Sequence, residues 1–171
     1  LDAFTTANEL AAAFGHKQVH FDVTLTGMRS SATTSQGLSV ALTPTEICQG
    51  ADWVVIPAIG YKMPGPLVQA LQRHDVRDAG DVLRTWAGEG GNIAAACIGT
   101  FVLAETGLLD GHQATTTWWL SQLFRQRYTH VDLDETRMLV HSGKRLTAGA
   151  ALSHMDMALW LIRQASPELA V

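Results

Sequence analysis

The run Asn92-Ile93-Ala94-Ala95-Ala96-Cys97-Ile98-Gly99-Thr100-Phe101-Val102-Leu103-Ala104-Glu105 leaves few folds open. Small and apolar residues lead into a lone cysteine, a glycine follows, and an apolar segment with helical spacing comes next. A strand, a sharp turn and a helix give this pattern when the turn lifts one nucleophile above a sheet. Small neighbours are needed because the backbone is crowded at such a turn. A sulfur in that place sits at a helix N-terminus, where the dipole favours thiolate over thiol.

The rest of the chain supplies the sheet such a turn requires. Residues 3–14 have the Ala/Leu content of a helix and stop at Gly15. Residues 20–26 alternate and are β-rich, and 38–42 is a second short strand candidate reached through a Ser/Thr-rich turn. Asp52-Trp53-Val54-Val55-Ile56-Pro57 is the continuous apolar run of a central parallel strand covered on both faces. Helices are expected near 66–74 and 79–89, with Gly107 and Asp110-Gly111 closing the helix after Cys97. Residues 114–117 form a strand candidate before a helix over 119–128. Ser142-Gly143-Lys144 between two β-rich runs, 138–141 and 145–148, is a hairpin signal. A helix over 153–164 ends the pattern. Strands alternating with helices predict an α/β, mostly parallel sheet with helices on both faces, plus a C-terminal hairpin and helix. Ligands in such folds bind beyond the carboxyl ends of the strands, where residues 57–60 meet Cys97. The chain enters directly into a helix, so a first strand is expected to precede the numbered sequence.

Composition excludes several classes. The 171 residues suit one domain, 1–171, without repeats or a linker, and 47% hydrophobic against 16% charged residues describes a packed globule. A net charge of −4, with scattered Lys and Arg, leaves no footprint for nucleic acid on this chain. No apolar run reaches the ~20 residues needed to span a bilayer, so no membrane partner is expected. Cys48 and Cys97 lack metal-type spacing and fit reduced thiols in a cytoplasm; no metal or cofactor is expected.

Cys97-Ile98-Gly99-Thr100-Phe101-Val102-Leu103-Ala104, then Gly107-Leu108-Leu109-Asp110-Gly111 and Ala114-Thr115-Thr116-Thr117-Trp118, resemble the ThiJ/PfpI group of class I glutamine amidotransferase-like domains. More narrowly, they resemble the version at the N-terminus of AraC-type transcription regulators, and Asp156-Met157-Ala158-Leu159 fits the same pattern. The resemblance implies a flavodoxin-like three-layer sandwich, often dimeric, with a pocket around Cys97. It implies a helix-turn-helix domain downstream, which Ser166-Pro167-Glu168-Leu169-Ala170 would join, and through which DNA would be contacted. Catalytic relatives place a histidine where this chain has Thr117. Isonitrile hydratase relatives pair an early aspartate, matched by Asp2, with the cysteine, and place threonine where this chain has Ile98. The expected oxyanion loop, Pro57-Ala58-Ile59-Gly60, carries less glycine than theirs, although its N–H groups could serve.

A thiol nucleophile needs a base or a lowered pKa and a group that protonates the leaving atom. Threonine titrates nowhere near neutrality, and the seven histidines fall mostly in turns and on predicted surfaces. Asp2, Gly60, Cys97, Ile98, Thr117 and Trp118 are therefore the candidate lining of a pocket, with Cys97 the one candidate catalytic group. Cys97 is otherwise a small residue fitting a crowded turn, or an oxidisable thiol. Asp2 serves equally well as an N-cap, and Trp118 and Trp119 as core or interface aromatics. Residues 115–117 suit a strand end entering a wet pocket. Glu105 reads as a helix-surface residue and Cys48 as a helix residue facing the core. The pattern fits an effector-sensing, dimerising module of an AraC-type regulator, with an unidentified small-molecule effector. The alternative is a cysteine-dependent enzyme, an isonitrile-hydratase-like lyase or small amidase.

Overall fold

A computed structural model describes residues 1–170 except Lys17, Gln49 and Ala151, and for Ile47 and Cys48 the backbone alone. Its order is α1 (Asp2–Ala13), β1 (Ser31–Thr33), β2 (Ser39–Ala41), β3 (Trp53–Ile56), α2 (Pro64–Leu71), α3 (His74–Gly88), β4 (Asn92–Ala96) and α4 (Gly99–Glu105). Then come β5 (Gln113–Ala114), α5 (Ser121–Arg127), β6 (Asp132–Leu133), β7 (Leu139–Ser142), β8 (Arg145–Ala148) and α6 (Ser153–Ala165). Cys48 ends a 3-10 turn, Thr45–Cys48; where its side chain points lies outside the described residues.

The main sheet has the order β3-β4-β8-β7. β3, β4 and β8 are parallel and β7 is antiparallel to β8, the mostly parallel sheet the alternation predicts. β4 lies between β3 and β8, and its alanines alternate between two cores. Ala95 joins Ile93, Leu67, Leu83, Phe101 and Phe124 on one face. Ala94 and Ala96 join Leu146, Met157 and Leu161 on the other, against α6. Small side chains here let helices approach both faces of the central strand, which makes the three layers.

Three local expectations fail in whole or in part. Residues 20–26 form no ladder among the described residues; the bridge Thr26↔Thr43 is what remains of the pairing. The backbone of Phe21 is held instead by the Asn8 amide, which accepts from its N–H at 2.7 Å and donates to its carbonyl at 2.8 Å. β3, read as a central strand, lies at the edge of the described sheet, and Val55 is 46% exposed. The Ser/Thr-rich stretch before residue 38 contains the expected turn at 34–37, and its first part is a strand, with Ser31 opposite Ala41.

Candidate functional site

The turn after β4 is the site's foundation. Cys97 has φ 57°, the one non-glycine residue in the left-handed region among the described residues. Its Cβ makes that conformation cost about 1–2 kcal/mol, so the surrounding structure must hold it. Three bonds do so. Cys97 N–H donates to the Ala148 carbonyl at 2.7 Å, tying the turn to the end of β8. The Cys97 carbonyl accepts from Thr100 N–H at 3.2 Å and from the Thr116 hydroxyl at 3.1 Å. Gly99 makes the third dimension possible. A Cβ there would lie 2.6 Å from the Ile56 carbonyl oxygen and 2.7 Å from that of Pro57. The start of α4 therefore rests directly on the end of β3, which sets residues 57–60 beside the elbow.

The threonine segment reaches this end of the sheet with hydroxyls rather than a ladder. Thr115 N–H donates to Thr147 Oγ1 at 2.8 Å, and its own hydroxyl donates to the Arg137 carbonyl at 2.8 Å. Thr116 holds Cys97. Thr117 is wholly buried, and its Oγ1, like that of Thr100, has no hydrogen-bond partner among the described residues. The segment expected to enter a wet pocket is buried: all three threonines are within 1% of full burial. A buried hydroxyl left unpaired costs about 1–3 kcal/mol, so Thr117 departs from ordinary core chemistry at the very position of interest.

The electrostatics of Cys97 reverse the sequence expectation. Burial pushes its pKa above the usual thiol value, and the Ile98 N–H and the Lys62 ammonium, which pull it down, do not overcome that. The helix-terminus effect is smaller because the sulfur loses more hydration than one N–H and an exposed lysine restore. No imidazole is among the groups acting on it. His112 Nδ1 lies 3.1 Å from Ser142 Oγ, His16 pairs with Glu168, and His141 stacks between Trp53 and Trp160. Burial thus opposes formation of the thiolate at Cys97.

The remaining candidates separate. Trp119, 37% exposed, donates from Nε1 to the Lys62 carbonyl at 3.2 Å, so the 3-10 turn Trp118–Leu120 fixes the loop that brings Lys62 toward Cys97. Trp118 is 68% exposed and meets Trp119 edge-on, outside the core. The Ile98 side chain is core, leaving only its backbone for the site. Gly60 lies on the loop after β3, with Ser35 Cβ 4.0 Å from the place of a Cβ. Asp2 is not the N-cap but the first residue of α1, exposed and without a described bond. Glu105 is no plain surface residue: its Oε1 accepts from the Tyr128 hydroxyl and from Arg127, each at 2.5 Å, tying α4 to α5.

Sequence reasoning missed Lys62 and Thr100 and placed Thr116 only within the segment 115–117. Lys62 had a readable signal, since it follows the loop at a strand's carboxyl end. No group of three or more metal-binding side chains exists among the described residues, and no described helix is long and apolar enough to cross a membrane. An open cleft of about 590 Å³ between Gly15, His16, Ser166 and Glu168 lies at the far end of α1, away from the elbow.

Comparison with known proteins gives consistent answers. Residues 2–164 match the DJ-1/PfpI family. The chain is 31% identical over 92 residues to the HTH-type transcriptional regulator GbdR of Pseudomonas aeruginosa, a stretch covering 54% of this chain and 25% of that protein. It is 30% identical over 133 residues to the isonitrile hydratase of Pseudomonas putida, covering 77% of this chain and 54% of that enzyme. The match thus spans a quarter of the regulator's length and about half of the enzyme's. The crystal structure of an AraC family transcriptional regulator from Pseudomonas putida superimposes with a TM-score of 0.74 at 19% identity, covering 98% of this chain and 88% of that one.

Proposed function

Because the chain belongs to the DJ-1/PfpI family, we propose that it is the ligand-sensing domain of an AraC-type transcriptional regulator, one that recognises a small molecule at the Cys97 elbow without transforming it. The observation that carries this is a half-buried thiol whose ionisation burial opposes, in a chain with a buried threonine, Thr117, where the resemblance places the histidine of catalytic relatives. Hydrolysis at an acyl carbon or hydration of an isonitrile carbon needs proton transfers that neither group supplies near neutral pH. Binding needs none. The Ile98 N–H, the Lys62 ammonium and the backbone of residues 57–60 would supply the few polar groups that a small-molecule site carries. Similarity to GbdR supports the regulatory half of the reading.

The C-terminal end suits transmission of a signal. The 3-10 turn Pro167–Ala170 is docked, not loose: Ala170 packs on Ala7 and Ile162, and Arg163 Nη2 donates to its carbonyl at 3.0 Å. A DNA-binding domain attached there would follow movements of α1 and α6. The protein acts in the cytoplasm as a homodimer, and DNA contact belongs to that second domain, in keeping with the net charge of −4 here. An effector shifts such a dimer only by binding one arrangement more tightly than the other.

The test is effector-dependent DNA binding by the full protein carrying Cys97→Ala. Retained response with no consumption of the effector supports sensing. The competing reading, a cysteine-dependent lyase or small amidase, draws on the similarity to isonitrile hydratase and on the elbow's backbone. Turnover of isonitriles or small amides that vanishes in Cys97→Ala, with the fold intact, establishes the enzyme and overturns the sensor.

A further inference from the structure

The loop after β3 carries a single cation, Lys62, and is held on both sides of it. On one side the Lys62 carbonyl accepts from Trp119 Nε1. On the other the Tyr61 ring packs against the main core cluster, and its hydroxyl accepts from Arg73 Nη1 at 3.1 Å.

Arg73 is itself fixed. It lies in the corner between α2 and α3, where its N–H donates to the Ala70 carbonyl at 3.1 Å. Its Nε donates to Asp75 Oδ1 at 3.0 Å and its Nη2 to Asp75 Oδ2, a fork on a carboxylate in the first turn of α3. An exposed ion pair ordinarily contributes little, because two long side chains must be ordered to make it. A guanidinium engaged through Nε, Nη1 and Nη2 together has a fixed plane, and that plane aims the third nitrogen at Tyr61. The same carboxylate accepts from Arg29 Nη2 at 3.3 Å, just ahead of β1. A two-stranded arm such as β1–β2 is marginal alone. It is tied here at its base through Asp75, and at its tip Ser35 Cβ lies 4.0 Å from the place of a Cβ on Gly60. One carboxylate thus joins the arm, the start of α3 and, through Arg73, the loop that ends in Lys62.

We infer that Arg73 is a positioning residue for the elbow: locked by Asp75, its guanidinium holds Tyr61 and so sets the reach of Lys62 toward Cys97. The Lys62 ammonium is the side-chain charge that acts on the Cys97 thiol, pulling against the effect of burial. A loop freed at Tyr61 would let that charge drift into solvent, where it is screened. The assignment goes beyond the sensing proposal and is independent of it, because the charge acts on the thiol whether Cys97 recognises or transforms. Its readout needs no effector, so the two fail separately.

Iodoacetamide alkylation of Cys97 in the full protein, followed across pH by the mass of its peptide, tests it. Lys62→Gln, which keeps the backbone bond to Trp119, slows alkylation below the half-point by roughly two- to fivefold, the effect of one partly screened charge. Tyr61→Phe keeps the ring on the core and Arg73→Lys keeps the charge, so both undo the fork at constant net charge. Each slows alkylation in the same direction, and neither adds to the loss in a Lys62→Gln background. A half-point unmoved or lowered in either variant, whatever happens to Tm, makes the fork merely structural and overturns the inference. A loss that adds to that of Lys62→Gln, or a Lys62→Gln protein that reacts like wild type, overturns it equally.

Discussion

Replacing Gly99 with alanine tests the packing on which the site rests. The new Cβ would lie 2.6 Å and 2.7 Å from the carbonyl oxygens of Ile56 and Pro57, and 3.1 Å from the Pro57 carbonyl carbon. All three are backbone atoms of β3 and its loop, so no side chain can rotate away. Either α4 or the 57–60 loop must move by several tenths of an ångström. Overpacking of this kind costs about 1–3 kcal/mol. Alanine returns about 0.5–1 kcal/mol of backbone entropy relative to glycine in a helix. The net loss is about 1–2 kcal/mol, which for a domain of this size lowers Tm by about 2–8 °C. Gly65, in α2, is the control: nothing lies within 4 Å of its Cβ position, so Gly65→Ala leaves Tm unchanged or slightly raised. Calorimetry on both variants is the assay. Effector affinity, measured by titration calorimetry, also falls in Gly99→Ala, because the elbow and the loop shift together. A Tm for Gly99→Ala within a degree of the parent would refute the close contact and the site geometry built on it.

Further outcomes follow from the same geometry. Alkylation of Cys97 by iodoacetamide is slow at pH 7 and its half-point lies above 9.0, the ordinary thiol value, since burial favours the neutral form; a half-point below 8 contradicts this. By linkage the fold is more stable below that ordinary value and loses the increment as pH climbs through the raised one, read by denaturation of wild type against Cys97→Ala. Thr117→Val removes a buried hydroxyl with no partner among the described residues, so stability holds or rises by about 1 kcal/mol; a clear loss in urea denaturation would expose a hidden partner. Tyr128→Phe deletes the hydrogen bond to Glu105 between α5 and α4 and lowers stability by about 1 kcal/mol, and the wild-type phenol titrates above its usual range because burial and Glu105 both oppose ionisation.

The sequence by itself determined the elements whose cause is local. The elbow is readable because alanines, one cysteine and Gly99 admit few backbones, and β7 and β8 because Gly143 sits between two β-rich runs. Their order then implied a mostly parallel sheet with the elbow at its carboxyl end. What tertiary structure decided depends on neighbours distant in the chain. The dipole at α4 is visible in sequence, but the desolvation that outweighs it at Cys97 comes from packing. The three threonines look alike, yet only contact with Arg137, Thr147 and Cys97 satisfies two of them and leaves Thr117 unpaired. Residues 20–26 alternate like a strand, but a strand exists only where another backbone lies alongside to take its hydrogen bonds.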